Sequence, residues 1–371
     1  MATESNKRKI VLFVPLLGGG GAEMVFVNLS NYFVSNGFDV VLFYAYGDSF
    51  LNLLDKRVIN KPVAGTKYSS IRTINRVIRI LKSYVALCKL LKKEQPDYLL
   101  ATVHESNMIA YFAHKKVAHR TKLILSMANI YRKSTLPFFL RPVLKTAFKN
   151  AQNLIANSPD TAASYKRFVG NDSLPVHIIG NPTFQENTNI KPLDFDFPYL
   201  LTVGRLESQK NQSLMIDAFY KVCLTNKTIK LIILGEGTLR GALERRTKSL
   251  GLTDRVIFMG FVEDTSRYYS NAEAFILSSD FEGFGNVIVE AMSYGIPVVS
   301  TDCPGGPNFI INKPTIGELC EMQNPEALSA AILKVLHHPE NYSREEIINR
   351  AKDFSIKKIG EIYVRLLESV R

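Results

Sequence analysis

Cysteine is scarce in this sequence of 371 residues, and the four that occur, at positions 88, 223, 303 and 320, stand far apart. Their spacing suits neither a disulfide framework nor a metal site. Apolar runs long enough to cross a membrane are also missing. The N-terminus, where Lys7, Arg8 and Lys9 precede a short apolar run, lacks the pattern of a secretory signal. These absences lead us to expect a reduced, cytoplasmic protein.

Negative charge is scarce in the first half of the chain. Residues 1–190 contain 25 Lys and Arg against 11 Asp and Glu, whereas residues 191–371 contain 21 against 23. All of the net charge of +12 therefore belongs to the first half. Such a field favours lipid surfaces, phosphates or nucleic acid, and the alternative is a basic surface without a specific partner. We find no aromatic-basic recognition module and expect no nucleic-acid partner.

Strand and helix signals alternate along the whole chain. Short apolar runs predict strands at residues 10–15, 40–43, 98–103, 123–126 and 153–156, and again at 199–203, 230–234, 256–259, 274–277 and 297–300. Amphipathic helices are expected between them, with a last one at 356–370. The polar, Pro-interrupted stretch 181–198 predicts a linker. The pattern indicates an α/β protein with two parallel, doubly wound domains, whose ligands lie beyond the carboxyl ends of the strands.

Two carboxylates, Glu282 and Glu290, stand eight residues apart, the first in a Gly-rich loop and the second in the apolar helix that follows. A buried carboxylate is unfavourable unless it is paired or hydrogen-bonded, and a carboxylate accepts two hydroxyl donors at once. The pair therefore suits a polyhydroxyl ligand such as a ribose or a hexose. The alternative is that Glu282 is a solvated loop residue and that Glu290 pairs locally.

The run EGFGNVIVEAMSYGIPVVSTDCPGGP, which begins at Glu282, resembles the signature of family 4 retaining glycosyltransferases. The resemblance implies that Glu282 faces the transferred sugar and that Glu290 binds the ribose of the nucleotide. It implies further donor contacts from the residues between them: Phe284, Gly285, Asn286 and Val287.

The same resemblance implies the GT-B fold, in which two Rossmann-like domains face each other across a cleft. The N-terminal, acceptor-side domain would comprise residues 1–185 together with a C-terminal crossover helix at 356–371. The nucleotide-sugar-binding domain would comprise residues 197–355.

Glycines follow the first predicted strand, in the loop from Gly18 to Glu23. Glycine permits close backbone approach, and the N-terminus of the next helix offers N–H groups to a phosphate. A flexible connection is the alternative, and the glycine fingerprint of a dinucleotide-binding protein is absent. In the resembling family, a loop like Gly20-Gly21-Ala22-Glu23 faces the donor diphosphate through its glycines and the acceptor through the last two residues.

Two cations, Arg205 and Lys210, follow the strand at 199–203 in the run Gly204-Arg-Leu-Glu-Ser-Gln-Lys-Asn. Arginine grips phosphate bidentately and lysine binds it as a point charge, although isolated cations in loops are mostly solvated. The run matches the family's Gly-Arg-Leu-x-x-x-Lys-Asn motif. The resemblance therefore implies a diphosphate clamp that stabilises departing UDP without a metal cofactor.

Further family-like positions lie at other strand ends. Gly235 would lie near the nucleotide, and Phe261 and Val262 would frame the base, although Phe261 is equally suited to the core. His104 resembles a first-domain contact of the transferred sugar, against the alternative of a structural histidine. Two departures from the family pattern stand out. Asn129 lies where relatives carry a histidine, and we assign it to the acceptor side. The second departure is Phe309, which lies where an acidic residue is common.

A long amphipathic helix at residues 71–93 carries much of the positive charge. Its apolar stripe is Ile71, Ile74, Ile78, Leu81, Val85, Cys88 and Leu91, and basic residues lie between them. One interpretation is a core-packed helix with a solvated basic face. The other is peripheral docking on an anionic membrane leaflet, helped by residues 131–149 with Phe138, Phe139 and Lys145.

The sequence as a whole predicts a retaining, metal-independent glycosyltransferase. It would move a hexose or N-acetylhexosamine from a UDP-sugar to a lipid-linked glycan or a lipopolysaccharide or O-antigen type of acceptor, at the inner face of the cytoplasmic membrane. Alternatives are a UDP-sugar epimerase with the same fold and a basic protein that binds nucleic acid or membrane.

Overall fold

A computed structural model describes residues 7–18, 20–63, 72–132, 136–186, 193 and 195–370 of the chain, without the side chains of residues 72–75. Gly19 of the glycine loop, Ile71 and the side chain of Ile74 therefore lie outside the described part. The chain divides into two compact units. One consists of Met1–Pro182 with Ile356–Arg371, and the other of Thr183–Ser355.

The first unit contains a seven-stranded parallel sheet in the order β3-β2-β1-β4-β5-β6-β7. Its strands are β1 (Lys9–Val14), β2 (Asp39–Tyr44), β3 (Ile59–Pro62), β4 (Tyr98–Thr102), β5 (Lys122–Met127), β6 (Asn153–Ala156) and β7 (His177–Ile178). Its helices are α1 (Gly21–Ser35), α2 (Arg72–Glu94), α3 (His104–Val117), α4 (Arg141–Asn150) and α5 (Pro159–Val169). The central strands are almost wholly apolar because helices cover both faces of the sheet.

One face of this sheet packs on α2 to α5 around a core that includes Phe13, Leu99, Leu125, Phe148 and Tyr165. α1 and the last helix of the chain, Ile356–Ser369, contact each other. The ring centroids of Phe33 and Tyr363 in these two helices are 6.4 Å apart. The final helix therefore belongs to the N-terminal unit.

The second unit contains a six-stranded parallel sheet in the order β10-β9-β8-β11-β12-β13. Its strands are β8 (Tyr199–Val203), β9 (Lys230–Leu234), β10 (Val256–Gly260), β11 (Ala274–Leu277), β12 (Val298–Thr301) and β13 (Gly317–Cys320). Its helices are α6 (Gln212–Thr225), α7 (Arg240–Ser249), α8 (Ser266–Tyr269), α9 (Asn286–Ser293), α10 (Pro307–Ile310), α11 (Pro325–His337) and α12 (Arg344–Lys352). The final helix of the first unit is α13 (Ile356–Ser369). The prediction of two parallel-sheet α/β domains is confirmed.

Among the described side chains, helix α2 buries only part of the apolar stripe expected for a core-packed helix. Ile78, Leu81 and Val85 of that stripe are 44%, 58% and 52% exposed, whereas its Leu91 is buried in the core together with Leu87, which lies outside the stripe. The helix has apolar residues on two sides, so the spacing alone does not decide which side packs. The core-packed interpretation therefore holds for Leu91 and is wrong for Ile78, Leu81 and Val85.

The interpretation of α2 as a helix with a solvated basic face does not hold for two of its arginines. Arg76 and Arg79 contact the two carboxylate oxygens of buried Glu105 at 2.5 and 2.6 Å. Two cations compensate the burial of one carboxylate, which is otherwise unfavourable.

None of the helices in the described ranges is long and apolar enough to cross a membrane.

Candidate active site

Glu282 lies in the loop that follows β11, and it is 5% exposed. Its Oε1 atom accepts a hydrogen bond from Nζ of Lys210 at 2.6 Å and another from Oγ of Ser279 at 2.6 Å. A buried carboxylate needs such partners, and a cation with a hydroxyl supplies them. The alternative that Glu282 is a solvated loop residue is therefore wrong.

The loops that carry Lys210 and Glu282 are joined by hydrogen bonds on both sides of this ion pair. Asn211 has a φ of 45°, and its Nδ2 donates to Oδ1 of Asp280 at 2.9 Å. The Asp280 N–H donates to the Gln209 carbonyl, and Oγ of Ser278 donates to the Lys210 carbonyl, both at 2.9 Å. The ends of the neighbouring strands β8 and β11 therefore form one hydrogen-bonded unit that fixes both charged side chains.

Glycines allow two more loops to approach this unit closely. A Cβ atom on Gly306 would lie 1.8 Å from the Phe284 carbonyl oxygen, and one on Gly235 would lie 2.0 Å from the Gly204 carbonyl oxygen. The Glu282 N–H donates to the Pro304 carbonyl at 3.0 Å. Because a larger residue would push these loops apart, glycine is required at both positions.

Glu290 lies in the second turn of α9, and it is partly exposed. The hydroxyl of Tyr269 donates to its Oε2 at 3.3 Å. Burial raises the pKa of the Glu290 carboxyl to about 6, while the hydrogen bond from Tyr269 and the charge of Lys210 act in the opposite direction. Local pairing of Glu290 is thus present, while the residue as a whole stays partly exposed.

Arg205 differs from Lys210 in its surroundings. Its side chain is exposed, and among the described residues it forms neither an ion pair nor a side-chain hydrogen bond. The backbone around it is fixed, because the Leu206 N–H donates to the Glu236 carbonyl at 2.9 Å and the Glu207 carboxylate accepts from the Thr238 N–H at 3.0 Å. The guanidinium is therefore an available cation on a well-held loop.

Phe261 follows β10 and is 78% exposed, so the alternative that it is a core residue is wrong. Val262 beside it is partly buried. An exposed aromatic ring at the carboxyl end of a strand suits contact with a planar ligand group. At the same edge of the sheet, Phe284 is buried with Gly285, while Asn286 and Val287 begin α9 and are partly exposed.

Phe309 packs in an aromatic cluster under the Glu282 loop. Its ring centroid lies 6.4 Å from that of Phe284 and 6.1 Å from that of Phe354. Arg350 donates from Nη2 to the Phe309 carbonyl at 2.5 Å, and its guanidinium lies 4.8 Å from the Phe354 ring centroid. The aromatic side chain at this position therefore supports the loop by packing.

In the first unit, His104 begins α3 and is 8% exposed. Its Nε2 atom is 2.8 Å from the hydroxyl of Tyr165. Burial, and secondarily the charge of Arg76, lowers the pKa of His104 to about 4, so the imidazole is neutral at pH 7. The preceding Val103 has a φ of 68°, a strained conformation for a β-branched residue. A strained residue of this kind is more frequent at functional sites.

The other predicted first-unit residues follow the adjacent strands β1 and β5. Gly20 is exposed, and its N–H donates to the carboxylate of Glu23 in the first turn of α1. Gly21 is exposed and Ala22 is partly exposed, and Asn129 is exposed just after β5. Since β1, β4 and β5 are neighbours, these residues and His104 lie along one edge of the sheet. Their roles toward sugar, diphosphate and acceptor stay predictions.

Sequence reasoning missed Ser279 and Tyr269, which hold predicted residues in place, and it included Asn211 in the Gly204 motif without predicting its hydrogen bond to Asp280. A pair of serines directly before the Asp280-Phe281-Glu282 run was a weak signal for hydroxyl donors at the strand end. Tyr269 lies 21 residues before its partner, and nothing in the local pattern marks it. Across the ranges that the structure describes, no group of three or more His, Cys, Asp or Glu could hold a metal ion.

Two family models match the chain with a boundary at residue 183. The model for Glycosyltransferase Family 4 matches residues 19–183, and the model for Glycosyl transferases group 1 matches residues 183–354. With two parallel-sheet α/β domains, the fold is GT-B. The chain belongs to the group 1, family 4 type of glycosyltransferases.

Individual relatives match over nearly the whole length. The GalNAc-α-(1→4)-GalNAc-α-(1→3)-diNAcBac-PP-undecaprenol α-1,4-N-acetyl-D-galactosaminyltransferase of Campylobacter jejuni is 27% identical over 98% of this chain and 99% of its own. The lipopolysaccharide core biosynthesis glycosyltransferase LpsE of Rhizobium meliloti is 24% identical over 94% of this chain and 96% of its own. The structure of Anabaena Alr3699/HepE in complex with UDP-glucose has a TM-score of 0.79 at 18% identity, covering 97% and 99% of the two chains.

Proposed function

We propose that the protein is a retaining glycosyltransferase that uses a UDP-sugar and no metal cofactor. The observation that carries this proposal is the arrangement of the paired Glu282 and Lys210, with exposed Arg205 on the Lys210 loop and Glu290 in the helix that follows the Glu282 loop. It places carboxylates for hydroxyl groups and cations for phosphates at the carboxyl edge of one sheet, where ligands of such sheets bind. The Anabaena structure with UDP-glucose supports the choice of donor.

The parts of the donor are assigned to these residues on the family resemblance, and the chemistry of the side chains suits each part. The ribose hydroxyls donate to the Glu290 carboxylate, and the uracil lies at Phe261 and Val262. The diphosphate contacts Arg205 and Lys210, since lysine carries three N–H donors and only one of them is used by Glu282. The transferred sugar donates a hydroxyl to Glu282. Gly20, Gly21 and His104 are proposed as donor contacts from the first unit, on the family resemblance.

The proposed reaction breaks the bond between the anomeric carbon and UDP and forms a bond to an acceptor hydroxyl on the same face. The leaving diphosphate gains negative charge, which the prearranged Arg205 and Lys210 stabilise in the transition state. A phosphate oxygen takes the proton of the acceptor hydroxyl. No carboxylate serves as a covalent nucleophile in this scheme.

Thermal unfolding with UDP, GDP, ADP and NAD tests the donor assignment. UDP at about a hundred times its dissociation constant is expected to add about 2.7 kcal/mol of stability, and the other nucleotides much less. Glu290→Ala is expected to lose this response, whereas Glu273→Ala, which changes an exposed carboxylate of the same unit, keeps it. Stabilisation by a different nucleotide would overturn the UDP assignment, and interconversion of UDP-sugars without an acceptor would favour an epimerase.

The acceptor is proposed to be a lipid-linked glycan or a lipopolysaccharide intermediate. The names of the Campylobacter and Rhizobium relatives, which act on an undecaprenol-linked glycan and in lipopolysaccharide core biosynthesis, support this class. The surface of the first unit supports it independently. The outward face of α2 exposes Ile78, Leu81 and Val85, and Phe138 before α4 is 76% exposed.

These apolar side chains lie on the helical layer that also carries exposed lysines: Lys82, Lys89, Lys145 and Lys149. An apolar stripe with flanking positive charge suits the interface of an anionic membrane, where the side chains enter the headgroup region and the lysines contact lipid phosphates. We propose that this layer docks the enzyme on the cytoplasmic leaflet, next to a lipid-linked acceptor.

Vesicle flotation tests the docking surface. The protein is expected to float with vesicles that contain an anionic lipid and to stay behind with neutral ones. Leu81→Glu is expected to weaken vesicle binding about tenfold, because it removes an exposed apolar side chain that would enter the headgroup region and adds repulsion from the anionic lipid. Leu224→Glu, at a similarly exposed leucine of the second unit, is the matched control. Equal binding to anionic and neutral vesicles would contradict the proposal. An equal loss of vesicle binding in both variants would contradict it as well.

A further inference from the structure

Ser279 is a fully buried serine at the carboxyl end of β11, and neither the sequence motifs nor the proposed donor contacts use it. Its Oγ donates to Oε1 of Glu282 at 2.6 Å. Its own carbonyl accepts a hydrogen bond from Oγ1 of Thr301 at 2.7 Å, which fixes the serine to the next strand. The hydroxyl is therefore a rigidly placed donor aimed at the carboxylate that we assign to the sugar.

Both hydrogen bonds to the Glu282 side chain fall on the same oxygen. Lys210 and Ser279 donate to Oε1, and among the described residues no group donates to Oε2. A carboxylate has acceptor capacity on both oxygens. The two donors therefore fix the rotation of the carboxylate and leave Oε2 as the acceptor for a ligand.

The two donors differ in what a bound nucleotide sugar does to them. Lys210 is a cation that the diphosphate also attracts, so its contact with Glu282 weakens or becomes shared when the donor binds. Ser279 is neutral, buried and bonded to no other acceptor in the described part of the chain. Ser279 is therefore the partner of Glu282 that is expected to keep its hydrogen bond when a donor binds.

We propose that Ser279 is a positioning residue for sugar recognition, which holds Oε1 of Glu282 so that Oε2 accepts a hydroxyl of the transferred sugar. This inference rests on the proposed function, because it concerns the same carboxylate. A buried serine that only supports the fold would affect stability, and it would leave the contribution of the sugar to donor binding unchanged. The two roles are therefore separable by binding measurements.

The test compares dissociation constants of UDP and of intact UDP-sugars by calorimetry. The probes are UDP-glucose, UDP-galactose and their N-acetylamino counterparts, and the sugar that wild type turns over is used throughout. Ser279→Ala is expected to leave the dissociation constant of UDP unchanged. It is expected to raise the dissociation constant of the UDP-sugar about tenfold, the size expected for loss of a hydrogen bond to a charged group.

Two further variants separate positioning from support of the fold. In a Glu282→Ala background, Ser279→Ala is expected to change UDP-sugar binding less than about twofold, because the residue it positions is gone. Ser300→Ala removes an equally buried hydroxyl on β12, which donates to the backbone carbonyl of Thr301 and not to Glu282. It is expected to leave the ratio of the two dissociation constants at the wild-type value.

The outcomes distinguish this inference from the proposed function. If wild type binds no UDP, the proposed function fails, and the role of Ser279 fails with it. If UDP binds and Ser279→Ala leaves the ratio of the UDP-sugar and UDP dissociation constants unchanged, the positioning role alone is overturned. The positioning role would also be overturned if Ser279→Ala weakened UDP-sugar binding equally in the wild-type and Glu282→Ala backgrounds, since Ser279 would then act independently of that carboxylate.

Discussion

Glu282→Gln is expected to keep UDP binding and to lose sugar transfer by about 100- to 1,000-fold, the range seen when one prearranged polar group is removed from a transition state. The substitution retains the size of the side chain. Its amide oxygen can still accept from Lys210 and Ser279, which now hold Oε1. The amide nitrogen then occupies the place of Oε2, so a donor faces the sugar where an acceptor stood. A sugar hydroxyl that donates to Oε2 loses its partner.

Steady-state rates with a UDP-sugar and calorimetry with UDP check this result in the same preparation. Glu273→Gln, at an exposed carboxylate of the same unit, is the matched control and is expected to be fully active. Full turnover by Glu282→Gln would remove Glu282 from the catalytic machinery. Loss of UDP binding together with transfer would mean that the carboxylate maintains the nucleotide site through its loop.

Local patterns allowed most of the strands in both sheets to be predicted, because central parallel strands are buried on both faces and read as apolar runs. β8 and β11 match their predicted limits. The edge strands β3, β7 and β13 were missed. Their sequences, INKP, HI and GELC, are short and largely polar, because one side of an edge strand faces solvent.

The identity of the site residues followed from motifs, whereas the contacts between them did not. Lys210 and Glu282 are 72 positions apart, and only the adjacency of β8 and β11 in the sheet brings their loops together. The sequence therefore predicted two separate roles, a phosphate cation and a sugar carboxylate, where the structure shows an ion pair. The same limitation applies to α2, since only packing decides which of two apolar sides is buried.

Arg205→Ala and Lys210→Ala are both expected to lower activity, but they are expected to differ in stability because only the second variant breaks the ion pair with Glu282. Arg205→Ala removes an exposed side chain without an ion pair in the described ranges, and its effect on the free energy of unfolding is expected to stay within about 0.5 kcal/mol. Lys210→Ala leaves buried Glu282 without its cation. Breaking a buried pair in this way is expected to cost on the order of 3 kcal/mol.

Arg205→Ala is nevertheless expected to lower kcat/KM for the donor by about 100- to 1,000-fold, since its guanidinium is proposed to meet the charge of the leaving diphosphate. Arg205→Lys retains the charge and loses the bidentate geometry, so it should recover part of the activity. Arg245→Ala, at an exposed arginine of α7 in the same unit, serves as the control and should retain the wild-type rate.

Chemical denaturation and donor kinetics on the four variants measure both quantities. If Arg205 is the diphosphate cation, activity falls while the unfolding midpoint stays at the wild-type value, and uridine, which lacks phosphates, binds Arg205→Ala as well as it binds wild type. A loss of uridine binding would place Arg205 on the nucleoside. Equal destabilisation by Arg205→Ala and Lys210→Ala would contradict the surroundings described for the two cations, because Lys210, unlike Arg205, forms an ion pair with a buried carboxylate in the described part of the chain.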